Sequence, residues 1–191
     1  MNTFVLRSAR HLAEIVFEKV VRPGDRVVDA TMGNGYDTLK LCHLVGDEGK
    51  VYAFDIQELA LKNTQALLEA NGLLSRAELF LCGHEKMKNH VAYPIKFCAF
   101  NLGWLPGSDK VVRTNWVTTK QALEQALSLL CPHGVCVLCV YPGHPEGKVE
   151  KNALIPYLSS LPSQEYNVLW QQFVNAGADA PQCIIIQKQT I

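Results

Sequence analysis

Three side chains that can accept hydrogen bonds each stand at the end of an apolar run. Asp29 closes Val27-Val28 and is followed by Ala30-Thr31-Met32-Gly33-Asn34-Gly35-Tyr36-Asp37-Thr38. Asp55 closes Val51-Tyr52-Ala53-Phe54 and precedes Ile56-Gln57. Asn101 closes Ile95-Lys96-Phe97-Cys98-Ala99-Phe100 and opens Leu102-Gly103-Trp104-Leu105-Pro106-Gly107. The glycines at 33 and 35 let the backbone turn sharply into a helix and approach a ligand closely. A carboxylate at 29 suits a cationic group such as an amino or sulfonium centre, whereas a phosphate-binding loop avoids a fixed negative charge there. Asp55 is placed to accept from the two hydroxyls of a ribose, and the plainer reading is a carboxylate capping the next helix. The side-chain oxygen of Asn101 can accept from a substrate amine, its neighbours' carbonyls can do the same, and the Trp104 ring can stack on a base.

An acid, a glycine turn and a second acid after the next strand are the opening of an S-adenosylmethionine (AdoMet) site. They also suit NAD. A dinucleotide fingerprint wants a third glycine three residues after the second, and Thr38 holds that place. A pyrophosphate also sits poorly beside Asp29 and Asp37, so a dehydrogenase is the weaker alternative.

Two further lips belong to the same edge. Cys82-Gly83-His84-Glu85 ends the third strand. There His84 can stack or hydrogen-bond at the adenine end and Glu85 can accept from an amine; the alternative is a solvated turn. Tyr141-Pro142-Gly143-His144-Pro145-Glu146-Gly147 follows the fifth strand and offers Tyr141 and His144 to a substrate, although a lone histidine is as often structural. The candidate cofactor-binding residues are Asp29, Thr31, Gly33, Asn34, Gly35, Asp37, Thr38, Asp55, Gln57, His84 and Glu85. Asn101, Trp104 and His144 are the catalytic candidates, and Leu102, Gly103 and Tyr141 the substrate-binding ones. Cys131, His133, Cys136 and Cys139 suggest zinc only superficially. Three residues apart in a strand, Cys136 and Cys139 point to opposite faces, and no metal site is expected.

The elements that must carry these residues alternate along the chain. Helical periodicity marks 3–21, 37–45, 57–70, 117–130 and a segment from about 146 to 154, where Pro156 should end it. Strands are expected at 26–29, 50–55, 77–82, 95–101, 134–140, 166–173 and 182–188. Strand–helix alternation indicates a doubly wound, mainly parallel α/β sheet with helices on both faces. The last two strands leave no room for a crossover helix and must form an antiparallel hairpin. The 191 residues, with no linker or repeat, suit one domain. Eighteen basic residues balance eighteen acidic ones, which argues against a broad surface gripping long nucleic acid. Arg7, Arg10, Lys110 and Arg113 are the cations available for a few phosphate contacts. Seven scattered cysteines read as reduced core thiols. No apolar run is long enough for a membrane helix, and the N-terminus lacks the order of a signal peptide, so a cytoplasmic protein is expected.

Taken in order, Asp29–Thr38, the His84-Glu85 pair, Asn101-Leu-Gly-Trp-Leu-Pro-Gly-Ser-Asp-Lys110 and Tyr141-Pro-Gly-His-Pro-Glu-Gly-Lys148 resemble one family. It is the small class I AdoMet-dependent methyltransferases long labelled rRNA methylases. The segments span nearly the whole chain. Asn101-Leu-Gly-Trp104 is similar to the Asn-Pro-Pro-Tyr motif of amino methyltransferases. The resemblance implies a Rossmann-like, seven-stranded fold, AdoMet as cofactor, and a tRNA anticodon loop as partner, with neither membrane nor metal and with room for a homodimer. It further implies N-methylation of 5-aminomethyl-2-thiouridine at the wobble position. Methylation of rRNA or of a small amine, and a non-catalytic AdoMet-binding module, are the alternatives. Pro142 in place of histidine and Trp104 in place of tyrosine depart from the family pattern, both on the substrate side. The amine must lose a proton, and either His144 or Glu85 can take it.

Overall fold

In the computed structural model, which describes residues 8–91, 94–107 and 112–190, Ser8 starts the first helix by accepting the His11 N–H at 3.1 Å. Arg7 and Lys110, two of the cations singled out above, lie outside the described residues. The elements are α1 (Ala9–Val20), β1 (Arg26–Asp29), α2 (Tyr36–Val45), β2 (Lys50–Asp55), α3 (Glu58–Ala70), β3 (Ala77–Leu81) and β4 (Ile95–Leu102). They continue with α4 (Trp116–Leu129), β5 (Leu130–Val140), α5 (Pro145–Ser159), β6 (Tyr166–Gln171) and β7 (Gln182–Lys188). The seven strands form one sheet in the order β3-β2-β1-β4-β5-β7-β6. Strands β1 to β5 run parallel, and β7 is antiparallel to both β5 and β6.

Alternation along the central strands builds two cores. Val27, Phe97, Ala99, Val135, Val137 and Cys139 face one side with Phe17, Leu41 and Leu68 of α1, α2 and α3. Val28, Cys98, Phe100, Cys136, Leu138 and Val140 face the other with Leu123 of α4 and Leu154 and Leu158 of α5. Cys136 and Cys139 therefore lie on opposite faces. Among the described residues no group of three or more His, Cys, Asp or Glu is arranged to hold a metal ion, and no helix is long and apolar enough to cross a membrane.

The part of the helix expected over 3–7 lies outside the described residues; besides shifts of one or two residues at element ends, three elements differ from the sequence expectation. Strand β5 starts at Leu130 rather than 134, because Leu130 pairs with Ile95 across an irregular register and His133 takes a left-handed backbone at φ 59°. Helix α5 passes through Pro156 to Ser159; buried Leu154 and Leu158 on either side of the proline hold the last turn against the sheet. The turn after β3 is a short 3₁₀ helix, His84–Asn89, seated on α4 through Met87 and through Lys88 N–H donating to Gln125.

The order of the strands matters for function. Chain progress runs outward from β1 through β2 and β3, then restarts beside β1 at β4 and runs the other way. The loops after β1 and β4 thus diverge, and the crevice at this switch point is where doubly wound sheets bind ligands. The loop after β1 is pinned on both sides: Ala30 N–H donates to Ala99 of β4 at 2.8 Å and Met32 N–H to Phe54 of β2 at 2.9 Å. Gly35, the residue before α2, has φ 83°, and a Cβ there would lie 2.9 Å from the Thr64 Cα of α3. Gly35→Ala is expected to destabilise the fold by at least about 1–2 kcal/mol through the left-handed backbone alone, read as a lowered urea midpoint at unchanged slope.

Candidate functional site

A cavity of about 640 Å³ opens at this switch point. Its floor is Thr31 to Asn34 and its sides are Asp55, Ile56 and Gln57 after β2, Gly83 to Glu85 after β3, and Asn101 to Pro106 after β4. Tyr141 and the segment Val112–Asn115 complete it. Of the residues singled out from sequence, Thr31, Gly33, Asn34, Asp37, Asp55, Gln57, His84, Glu85, Asn101, Leu102, Gly103, Trp104 and Tyr141 come together here.

Asp55 ends β2 at the cavity wall. One carboxylate oxygen accepts the Gln57 N–H at 3.0 Å and the other the Gly33 N–H at 3.1 Å. Burial raises its pKa, opposed by these backbone N–H groups. Asp55 therefore braces the turn before α3 through the Gln57 N–H without capping the helix itself, whose N-cap is Gln57, and it lines the cavity as an acceptor. His84 is buried, and its Nδ1 lies 3.1 Å from the Ala30 carbonyl. A carbonyl only accepts, so Nδ1 carries the proton, and burial lowers the pKa so that the ring is neutral. His84 is thus no solvated turn residue. Asn34 ties the loops together, donating to the Pro106 carbonyl at 3.3 Å and accepting from Asn63 at 2.9 Å.

Asn101 sits at the centre of a polar chain. Its backbone N–H donates to Thr31 Oγ1 at 2.7 Å, and its side-chain Nδ2 donates to Asp37 Oδ2, also at 2.7 Å. Asp37 Oδ1 takes a 2.9 Å ion pair from Arg10 Nη2 of α1. With Nδ2 held by a carboxylate, the Asn101 oxygen is the end of the amide left for a ligand, and among the described residues it has no partner.

Four assignments change. Asp29, Gly35 and Thr38 lie outside the cavity wall. Asp29 is fully buried, taking the Thr38 hydroxyl at 2.7 Å and the Thr31 N–H at 3.2 Å, so it fastens the glycine loop to α2 instead of meeting a cationic ligand. Gly35 packs on α3. His144 also stands behind the wall: it caps α5, its Nδ1 accepting the Gly147 N–H at 3.1 Å, and its ring meets Trp104 edge-on at 4.6 Å. A nitrogen committed to a helix cap beneath the tryptophan is not a base for a substrate. The two described cations offered for phosphate are also engaged, Arg10 with Asp37 and Arg113 with Glu146 at 2.7 Å.

Sequence reading offered Arg10 and Arg113 only as phosphate contacts and missed the wall residues Tyr36, Asn115 and Thr118. Tyr36 lay inside the glycine motif and Asn115 is a helix-capping type. The place of Arg10 in the wall had no signal, since its partner is 27 positions away.

Residues 51–187, well over half the chain, match the family described as "Putative rRNA methylase". The chain belongs to this family. A chloroplastic tRNA (mnm(5)s(2)U34)-methyltransferase from Arabidopsis thaliana is 38% identical over 182 residues, 90% of this chain; the chain spans 66% of that protein's length. A "putative rRNA-methylase" from Clostridium thermocellum superposes with TM-score 0.94 at 34% identity, covering 97% of this chain and 100% of that one. A "putative methyltransferase" from Streptococcus mutans, solved in complex with SAH, gives 0.87 at 34% identity over 96% and 99% of the two chains. The seven-stranded sheet with its closing hairpin is the class I methyltransferase fold.

Burial, and next the charge of Asp37, push the Asp29 pKa up from 3.8 to about 7. Between about pH 4 and 7 the folded chain then holds a proton that the unfolded chain has lost, so this group's stabilising contribution falls as pH rises, by about 1.4 kcal/mol per pH unit for one proton. Asp29→Asn is expected to lose less stability than the parent between pH 5 and 8 in urea titrations; equal losses would refute the buried, protonated carboxyl.

Proposed function

We propose that this chain is an AdoMet-dependent N-methyltransferase acting on the aminomethyl group of 5-aminomethyl-2-thiouridine at the tRNA wobble position, giving 5-methylaminomethyl-2-thiouridine. The observation that carries the reading is Asn101, whose amide oxygen is turned free at the switch point by the Asp37 contact. The name of the Arabidopsis relative supplies the nucleoside. The proposal treats residues 1–191 as one methyltransferase domain, with the anticodon loop as partner. Seven free thiols, most of them buried, suit a reducing, cytoplasmic setting.

The residues fit AdoMet by volume and chemistry. A cavity of about 640 Å³ is within the range of small-molecule sites. Asp55 offers acceptor lone pairs for a ribose, Phe54 and Ile56 offer an apolar wall, and Gly83 leaves space that the Glu85 carboxylate lies against. When bound, AdoMet supplies an electrophilic methyl on a sulfonium. The chain's task is then orientation, since most of the acceleration in such a displacement comes from holding an uncharged nitrogen in line. Asn101 Oδ1 accepts from the amine N–H and directs the lone pair. Of the two proton acceptors read from sequence, only Glu85 lines the cavity; it stands on the β3 side against Gly83, so the proton that the methylated nitrogen sheds passes to water.

Asn101→Ala is expected to lower kcat at least 100-fold while leaving the AdoMet Kd within about three-fold by calorimetry. Asp55→Ala should do the reverse, weakening AdoMet about ten- to 100-fold, as the loss of hydrogen bonds to a charged acceptor predicts. The whole reading is tested by adding labelled AdoMet and the protein to tRNA from cells lacking it, then separating the nucleosides by mass. Label in rRNA only, or saturable NAD binding with none for AdoMet, rejects it.

Trp104 stands at the same lip as Asn101, held edge-on by His144. Stacking of a base on an aromatic ring is worth about 1–3 kcal/mol, so Trp104→Ala should weaken an anticodon stem-loop about ten-fold, with AdoMet affinity unchanged.

A further inference from the structure

Arg10, Asp37 and Asn101 form one line from α1 to the cavity, and the proposed reaction explains only its last member. Asp37 is a carboxylate and can only accept. It therefore takes the amide nitrogen of Asn101 (2.7 Å) and excludes the flipped rotamer, which would set oxygen against oxygen. A carboxylate one residue behind the acceptor amine has a second effect: it favours the ammonium form, which has no lone pair and cannot attack a methyl group. Arg10 answers that effect. Its guanidinium holds the other Asp37 oxygen with Nη2 at 2.9 Å and Nε at 3.3 Å, and it also lines the cavity.

We propose that Asp37 and Arg10 are paired positioning residues for an amine substrate: Asp37 fixes the amide oxygen of Asn101 toward the nitrogen, and Arg10 cancels the carboxylate so that the nitrogen is bound uncharged. The proposal rests on the amine-methyltransferase reading above and extends it to how the acceptor's protonation is controlled.

Among the described residues, the other ionisable groups at the cavity are Tyr36, Asp55, His84, Glu85, Arg113 and Tyr141, with Asp29 buried behind Asp37, Glu14 beside Arg10 at 3.6 Å, and the Cys139 and Cys183 thiols of β5 and β7 nearby. His84 is neutral and the Tyr141 pKa is raised by burial, so neither supplies charge at neutral pH. Arg113 is paired with Glu146. Asp55 and Glu85 belong to the β2 and β3 side. Asp37 is thus the carboxylate in direct contact with Asn101, and Arg10 is the cation in direct contact with Asp37.

The test uses the intact chain, tRNA carrying 5-aminomethyl-2-thiouridine, and the variants Arg10→Gln and Arg10→Lys. Arg10 is well exposed, at 43% for its side chain, so both variants should fold. At saturating substrate the parent's kcat rises with pH to a plateau as the bound amine loses its proton. In Arg10→Gln that limb should move up by about one pH unit, a roughly ten-fold loss at neutral pH that disappears at high pH; Arg10→Lys should keep the parent's limb. Binding reads the same equilibrium without turnover. With S-adenosylhomocysteine present, the parent should lose stem-loop affinity on acidification, and Arg10→Gln should lose about ten-fold less. An unmoved limb with a raised AdoMet KM assigns Arg10 to the cofactor and overturns the proposal, as does a rate lowered equally at every pH. A parent that methylates no amine-bearing nucleoside fails the functional reading itself, before the variants are compared.

Discussion

The site exists because β1 and β4 are neighbours whose following segments leave the sheet in opposite directions. Asp29 pairs with Ala99 at the end of β1 while β4 runs on to Leu102, and this end is stitched further by Ala30 bonding to Ala99 and by Asn101 bonding to the Thr31 hydroxyl. The stitching fixes the separation between the glycine loop and the Asn101 lip. Side chains on either loop would otherwise sit on mobile surface segments; tied at this seam, they have the rigidity of the sheet. The same seam explains why Thr31, a residue with no obvious chemistry, holds the amide backbone of the proposed catalytic asparagine.

Buried carboxylates recur around the cavity, and each is treated differently. Asp29 is given a hydroxyl and a backbone N–H, which favour its charged form, against burial and the Asp37 charge, which raise its pKa to about 7. Asp37 is given an amide and a guanidinium. Glu150 of α5 accepts two threonine hydroxyls, Thr119 at 2.6 Å and Thr114 at 2.8 Å, and burial raises its pKa. An unpaired charge in such places would cost several kcal/mol, so each neighbour is constrained in turn. Thr114 lines the cavity, and the Glu150 contact carries the position of that wall back into the α5 helix.

Legibility in the sequence followed periodicity and local turn chemistry. The alternation of strands with helices predicted a sheet covered on both faces, and both cores are there, with Phe97 and Ala99 in one and Cys98 and Phe100 in the other. Asp–Gly spacing located the switch-point loop because glycine conformations are a local property. What escaped notice depended on contacts distant in sequence. Asp29 looks like a ligand-facing acid until Thr38 folds back over it. His144 looks like a base because Tyr141 beside it lines the cavity, and only the N–H of Gly147 three residues on decides which way the ring turns. Pro156 reads as a stop signal, yet flanking leucines in the core outweigh one lost backbone bond in the last turn.

Besides its ion pairs to α2, helix α1 packs on β4, β5 and β7, with Phe17 meeting Phe97 edge-on at 5.0 Å. The first described helix thus rests on a strand that ends at Lys188. Contacts between such distant segments form slowly, because a long loop must close before they reward it. On a ribosome the chain would carry the glycine loop and both acids long before it could seat Arg10 beside Asp37. The Arg10 side of the cavity therefore depends on strands made late, and a half-made chain presents a cofactor loop without the wall that completes it.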